Sequence, residues 1–347
     1  MKRLLQNRHL TIYLSNITQL IKLNGMKDKK NEADKKTVKG LVIRCSKNII
    51  TVRIGEGPDE AETDCRIKGK VLKAVEGYYN PLAPGDIVEV SGGLILGLEK
   101  RRNEFARFNQ KGRSPQLLAA NVDLVLCVTS PSAPPFRPRF IDRALLQADA
   151  AGIPFAIICN KYDLADGEGD PDTEERLSDF ERIGCPVFRV SAKTAEGLEE
   201  FKNFTAGKFS VLVGQSGVGK SSLMKALMPD LEIKTGEINQ KFDRGNHTTT
   251  QGNLFEIRET GTRFVDTPGI RRFAPSGISA ADLILCMREF AALAGKCSYG
   301  LSCSHQTEPG CVILEAVHAG VIHEDRYECF LRIRDELSGK IEYPDLD

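Results

Sequence analysis

Residues 208–228, KFSVLVGQSGVGKSSLMKALM, run as an apolar β-branched stretch, a turn with glycines at 214, 217 and 219, and a helix-forming segment. That succession belongs to α/β sheets, in which the turn lies beyond the carboxyl end of a buried strand. The glycines let backbone N–H groups converge on phosphate oxygens at a helix N-terminus. Gly214, Gln215, Ser216, Gly217, Val218, Gly219, Lys220, Ser221 and Ser222 are therefore expected to hold a nucleoside triphosphate. Lys220 would reach the β- and γ-phosphates and the Ser221 hydroxyl would ligate Mg²⁺.

NKYDL at 160–164 precedes this loop, and VSAKT at 190–194 closes the next strand-like run. A carboxylate from Asp163 accepts both the ring N–H and the exocyclic amine of guanine, which adenine does not offer. Adenine would leave it unpaired at a cost of ~1–3 kcal/mol. Asn160 would brace neighbouring loops, the stem of Lys161 would cover the ring, and Tyr162 belongs to the same loop. Ser191, Ala192 and Lys193 would bring a backbone amide to the guanine carbonyl. VDTPG at 265–269 ends another apolar strand, where Asp266 would organise the metal through its water shell and Gly269 approach the γ-phosphate.

The order is guanine loops, phosphate loop, then DTPG. A parallel sheet gathers these loops at one edge whatever their order, so the expected fold is a circularly permuted GTPase on a doubly wound sheet. RGNHTTTQG at 244–252 occupies the place of the first switch, where one of Thr248, Thr249 and Thr250 would complete the Mg²⁺ shell, Thr249 being preferred. Ile270 stands where many GTPases place a water-orienting glutamine, so His247 becomes the catalytic candidate, with a histidine that merely caps or packs the switch the alternative.

On either side the texture changes. GLVIRC, NIITVRI, CRIKGKVLK, GDIVEV and GLILGL, within residues 38–100, are short β-rich runs that predict a five-stranded OB-type barrel. In the third, Arg66, Lys68 and Lys70 alternate with Ile67, Gly69 and Val71, which places the cations on one face, either a solvated face or an RNA-facing one. ISAADLILCMREFAALAGK predicts a helix with Leu283, Met287, Phe290 and Ala294 as its packing stripe. IHEDRYECFLRIRDELSG predicts a second. Between them, Cys297, Cys303, His305 and Cys311 are four thiolate and imidazole ligands at the spacing of a closed structural Zn²⁺ site.

The expected division is 1–37, a disordered lead-in or over-extended start; 38–108, an OB-fold RNA-binding unit; 109–276, the permuted GTPase; and 277–347, a helical zinc-binding unit. An organelle-targeting peptide within the first 25 residues is a third reading of the start. Composition narrows the classes further. The 48 basic and 47 acidic residues nearly cancel, so any nucleic-acid surface must be local. Of the other seven of the ten cysteines, Cys45, Cys65, Cys127, Cys159, Cys185 and Cys286 scatter through apolar runs as reduced thiols do, and Cys329 in the last helix reads as packing. No run is long enough to span a membrane.

Barrel, NKYD, SAKT, GQSGVGKSS, HTTT, DTPG and CX₅CXHX₅C, in that order, closely resemble the ribosome-small-subunit-dependent GTPase family RsgA (also YjeQ), as does QLLAANVDLVLCV at 116–128. The resemblance runs from about residue 38 to 335 and implies a factor that binds the immature small subunit and its rRNA, hydrolyses GTP to GDP and phosphate there, and leaves as maturation completes. It implies a cytoplasmic monomer without membrane attachment, and puts the family's switch histidine at His247. The family usually has four residues between its first two cysteines; this chain has five. Two further readings stay open: a nucleotide-gated RNA-binding scaffold with incidental hydrolysis, and a different permuted ribosome-assembly GTPase.

Overall fold

The computed structural model describes residues 37–46, 49–55, 57–69, 76–165, 172–229 and 252–340. The lead-in at 1–36 and the switch residues His247 and Thr249 lie outside them. Strands β1 (Val38–Cys45), β2 (Ile50–Ile54), β3 (Ala61–Ile67), β4 (Ile87–Ser91) and β5 (Leu94–Leu98) follow one another in the order β1-β2-β3-β5-β4. A further pairing of β4 with β1 closes the ring, so the five strands form a barrel without a free edge. Val42, Val52, Leu82, Val88 and Ile95 fill it. The third strand ends earlier than CRIKGKVLK suggests, at Ile67, where its hydrogen bonding passes to β5 through Arg66 and Lys68. Arg66 and Lys68 are exposed; Lys70 is not among the described residues.

A hairpin of β6 (Glu104–Asn109) and β7 (Ser114–Ala120) is not legible in the sequence. It spans the point where the sequence divides barrel from GTPase. Its mixed charge and Pro115 hide the alternation that would mark it, and tertiary bonds fix it instead: Asn80 bonds both the N–H and the carbonyl of Leu117, and Ala120 donates to Pro84.

Strands β8 (Leu124–Thr129), β9 (Phe155–Cys159), β10 (Val187–Arg189), β11 (Phe209–Gly214) and β13 (Thr262–Asp266) are parallel, in the order β10-β9-β8-β11-β13. Helices α1 (Pro138–Ala150), α2 (Thr173–Arg182), α3 (Leu198–Thr205) and α4 (Lys220–Leu227) cover both faces. Alternate residues of each strand feed different cores. Val125, Cys127, Ile157 and Val211 pack with Ile141, Leu145 and Phe180 on one face; Leu126, Val128, Ile158 and Leu212 pack with Leu198, Phe201 and Leu223 on the other. Each such side chain, buried, contributes about 1.5–3 kcal/mol.

Strand β12 (Asn253–Ile257), which no motif or strong alternation announces, runs antiparallel to β13. It also pairs with the barrel at Arg44 and Asn253, so barrel and GTPase share one eleven-stranded sheet. Glu256 and Glu60 take Arg53, and Arg258 takes Glu60 at 3.1 Å.

The C-terminal unit contains α5 (Arg288–Ala291), α6 (Val312–His318) and α7 (Glu324–Leu337). The continuous helix expected over 278–296 is not formed. A 3-10 turn at Leu283–Cys286 ends at Met287, whose backbone is extended (φ −109°, ψ 118°). The packing stripe survives, with Leu283, Met287 and Phe290 buried and Ala294 half-buried. The break lets Arg288 reach Asp149 and the Gly184 carbonyl (2.9 Å each) and Glu289 reach Arg326. These tertiary pairs override helix propensity. Among the described residues no helix is long and apolar enough to cross a membrane.

Candidate active site and metal centre

The nucleotide motifs meet at the carboxyl edge of the parallel sheet: Asn160 follows β9, Ser191 follows β10, Gly214 ends β11 and Asp266 ends β13. Asn160, only 1% exposed, joins three of these loops. Its Nδ2 donates to the carbonyls of Val218 (3.0 Å) and Gly219 (3.4 Å), and its Oδ1 accepts from the Ala192 amide (3.0 Å). The Ala192 N–H is therefore held by Asn160 here. Gly219 lies at φ +90°, and an added Cβ would fall 2.4 Å from Asn160 Nδ2. Only glycine lets the phosphate loop and the asparagine come this close.

Lys161, at φ +61°, carries its ammonium across the loop to the carbonyls of Ala133 (2.5 Å) and Gly217 (2.7 Å). Asp163 is exposed, and its Oδ1 accepts from Ser191 Oγ at 2.7 Å, which fixes one side of the carboxylate. The same hydroxyl accepts from the Lys193 and Thr194 amides (3.3 and 3.1 Å), so Ser191 knots its loop. Tyr162 turns the other way, packing on the core and donating to Glu174 at 2.8 Å.

Lys220 is buried, and its ammonium bonds the carbonyls of Gly214 (2.9 Å) and Gln215 (3.1 Å). Burial lowers its pKa, against the pull of Asp266. Ser221 is half-buried in the first turn of α4, and Ser216, Gly217 and Ser222 are exposed. Val218 is buried in the core below.

Burial pushes the Asp266 carboxyl up to about 6, and its Oδ1 is buried without a hydrogen-bond partner. A buried, unpaired oxygen at the mouth of a phosphate loop is what a metal-organising carboxylate presents. Thr267 Oγ1 donates to the Leu212 carbonyl (2.7 Å) and the Ile270 amide to that of Gly214 (3.1 Å), so DTPG is clamped over the loop. Gly269 would place a Cβ 2.8 Å from Ser216 Cα. Ile270 is 4% exposed in the core, away from any role in orienting water. Nothing in the sequence pattern marks the Thr267 clamp, or Arg137 beside Gln215.

Cys297, Cys303, His305 and Cys311 form a second site, all buried, with their ligand atoms within 4.8 Å of one another. The Sγ atoms of Cys297 and Cys311 are 3.8 Å apart; His305 Nδ1 is 3.5 Å from the first and 3.4 Å from the second. A tetrahedral ion with bonds of about 2.3 Å to sulfur and about 2.05 Å to nitrogen requires edges of about 3.8 and 3.6 Å. Cys297 therefore joins the cluster despite the five-residue spacing. Burial and Arg334 hold His305 below its ordinary pKa, which favours the neutral imidazole a metal ligand must be. Around it, the Glu308 carboxylate accepts from the amides of Ser304 (2.6 Å), Gln306 (3.1 Å) and Thr307 (3.2 Å), and Tyr327 donates to the His305 carbonyl (2.7 Å). Cys329 is a core residue and His318 is exposed; neither joins the cluster.

Guanine loops, phosphate loop and DTPG, met in that chain order on one parallel edge, define a circularly permuted GTPase. The RsgA GTPase family model matches residues 98–275. The small ribosomal subunit biogenesis GTPase RsgA of Chlorobaculum parvum is 35% identical over 315 residues, 87% of this chain and 98% of that protein. That of Shewanella oneidensis is 41% identical over 241 residues, 70% and 67% of the two chains. The crystal structure of YjeQ from Thermotoga maritima superposes with a TM-score of 0.64 at 30% identity, covering 88% of this chain and 99% of the other. The chain belongs to the RsgA GTPase family, and it is a GTP hydrolase.

Proposed function

We propose that this GTPase acts on the small ribosomal subunit and its rRNA late in maturation, binding as GTP-bound monomer in the cytoplasm and leaving with GDP. The carrying observation is the permuted order of loops between a closed barrel and a Cys₃His cluster, together with relatives named for small-subunit biogenesis. The units proposed are the barrel at 38–108, the GTPase at 109–276 and the metal-bearing unit from 277.

In this reading Asp163 selects guanine, with Ser191 holding the carboxylate and Asn160 holding the loops that carry it. Lys220 exchanges its two loop carbonyls for β- and γ-phosphate oxygens, whose negative charge would offset the burial that lowers its pKa. Ser221 and Asp266, with Thr249 from the switch, would hold Mg²⁺, which would neutralise part of the phosphate charge. His247 is proposed to orient the attacking water, since buried Ile270 has no group for it. The ion of the Cys₃His cluster is proposed to be Zn²⁺, structural because all four positions are protein ligands.

GTP hydrolysis measured with small subunits, with large subunits and with neither is the test. Stimulation by small subunits alone supports the reading, and equal rates in all three sink it. If His247→Ala binds GTP normally and keeps full stimulated turnover, His247 leaves the mechanism.

A further inference from the structure

A cleft of about 470 Å³ opens beside the phosphate loop, between the GTPase and the C-terminal unit. Its walls are the start of α1, the segment just after DTPG, and one side of α7. Six arginines line it: Arg137, Arg139 and Arg143 from the first wall, Arg271 and Arg272 from the second, Arg332 from the third. Only two carboxylates, Asp325 and Glu336, share the lining. Both are engaged, Asp325 with Arg139 (2.8 Å) and Glu336 with Arg143 in a two-pronged pair (2.7 Å each). Arg137 and Arg271 make no ion pair among the described residues, so the lining carries a surplus of positive charge.

Two further features point to the same ligand. Helix α1 starts here on Pro138, with no side-chain cap and no acid in its first turn, so the positive end of its dipole is turned to the cleft uncompensated. Phe136, Phe140 and Phe273 supply apolar lining among the guanidiniums. Guanidinium forks match phosphate oxygens, and an aromatic floor accepts a sugar or base edge. A bare polyanion would leave that floor unused.

We propose that this cleft is a second anion site, distinct from the GTP site, which receives a phosphodiester stretch of single-stranded RNA. The choice of RNA rests on the functional reading above; the anion site rests on the cleft itself. Arg271 and Arg272 follow Gly269 by two and three residues, so RNA seated here touches the segment that leaves the γ-phosphate edge.

The test is fluorescence anisotropy of a short labelled single-stranded RNA on the full chain across a salt series. Arg271→Ala with Arg332→Ala removes two cations from opposite walls, neither within the GTP site. The expected result is about tenfold weaker RNA binding, a salt slope lower by about 1.4 because two phosphates are no longer neutralised, and unchanged GTP affinity. Arg66→Ala with Lys68→Ala on the barrel should weaken binding independently, so that the two effects add. Wild-type affinity and slope in the cleft variant would overturn the proposal. So would equal competition by pyrophosphate or poly-glutamate at matched charge, which would make the cleft a site for any anion. If small subunits fail to stimulate hydrolysis while RNA binds with this slope, the functional reading falls and the cleft stands.

Discussion

Replacing Arg326 by Met tests how the C-terminal unit is held. The guanidinium is 2% exposed and sits between two units: Nη1 donates to Asp142 of α1 at 2.6 Å, while Nε and Nη2 both engage Glu289, Nη2 at 2.8 Å. The Asp142 and Glu289 side chains are 0% and 7% exposed. Methionine fills similar space but leaves both carboxylates short of a cation. Asp142 keeps Arg176 at 3.6 Å, so the larger share of the loss falls on Glu289. Breaking a buried pair in this way costs about 3–5 kcal/mol. In urea unfolding at slopes of about 2–3 kcal/mol/M, the midpoint should fall by about 1–2 M. Arg326→Met with Glu289→Gln should recover most of that, because the stranded charge is gone. Burial holds the Asp142 carboxyl above its ordinary value even beside two guanidiniums. A carboxyl raised in the folded state costs stability above its unfolded value, near 3.9, and the cost fades as pH falls through the folded value. Losing Arg326 raises it further, so the deficit against wild type should narrow as pH is lowered toward the ordinary carboxylate range. A loss under about 1 kcal/mol, or a double variant no better than the single, would refute the reasoning.

Chelation, or Cys311→Ser, should raise amide exchange across residues 297–340 while the barrel keeps its protection, as the proposed ion would be what holds the four buried ligands together. Gly219→Ala combines a φ of +90° with a 2.4 Å approach to Asn160, and calorimetry should find GTP affinity down about 100-fold, for strain of about 2–3 kcal/mol. Asp266 titrates near 6, so lowering pH through 6 puts a proton where the metal's shell must bond, and the Mg²⁺ needed for half-maximal GTP binding should rise. Phe273 packs on Phe105 of the hairpin and Phe140 of α1 (centroids 5.6 and 6.0 Å). Phe273→Ala should cost about 3–5 kcal/mol of stability, and Phe273→Leu much less; thermal unfolding of both decides it.

The nucleotide edge is legible because each motif is short, contiguous and bound to one strand end. The bracing role of Asn160 follows from its side chain alone, since an amide between loops offers a donor to one and an acceptor to the other. What stays hidden is set at long range. Strand β12 is only five residues, and its partners are β13 and the barrel strand β1. The break at Met287 follows from Arg288 and Glu289 finding Asp149 and Arg326, neither of which is near in sequence. In the third barrel strand, the cation alternation marks Arg66 and Lys68 as exposed, but where a strand ends depends on its neighbour, and β5 takes over at Ile67. The cleft arginines are scattered over nearly two hundred residues and carry no motif.

Permutation leaves the nucleotide edge itself unchanged, since the loops meet wherever the chain is cut. What it alters is which segments continue into neighbouring units. DTPG runs directly into Phe273, whose ring packs between hairpin and α1, and then into Ala274, whose carbonyl accepts from Phe108 of the hairpin at 2.8 Å. Two residues on, the Ser276 amide donates to Gln147 of α1 (2.6 Å), on the helix that Arg139 and Arg143 tie to α7. On the other side, the segment carrying His247 and Thr249 passes directly into β12, which pairs with the barrel and holds Arg53 through Glu256. In the proposed reading, both segments that would sense the γ-phosphate thus continue along the chain into a flanking unit: DTPG into residues packed on the hairpin and α1, and the proposed switch into β12, which pairs with the barrel. A shift at either segment must repack an interface, and packed interfaces rearrange between discrete arrangements rather than yield gradually. That is the arrangement a GTPase needs if its nucleotide state is to be felt by a partner gripping both ends of the molecule.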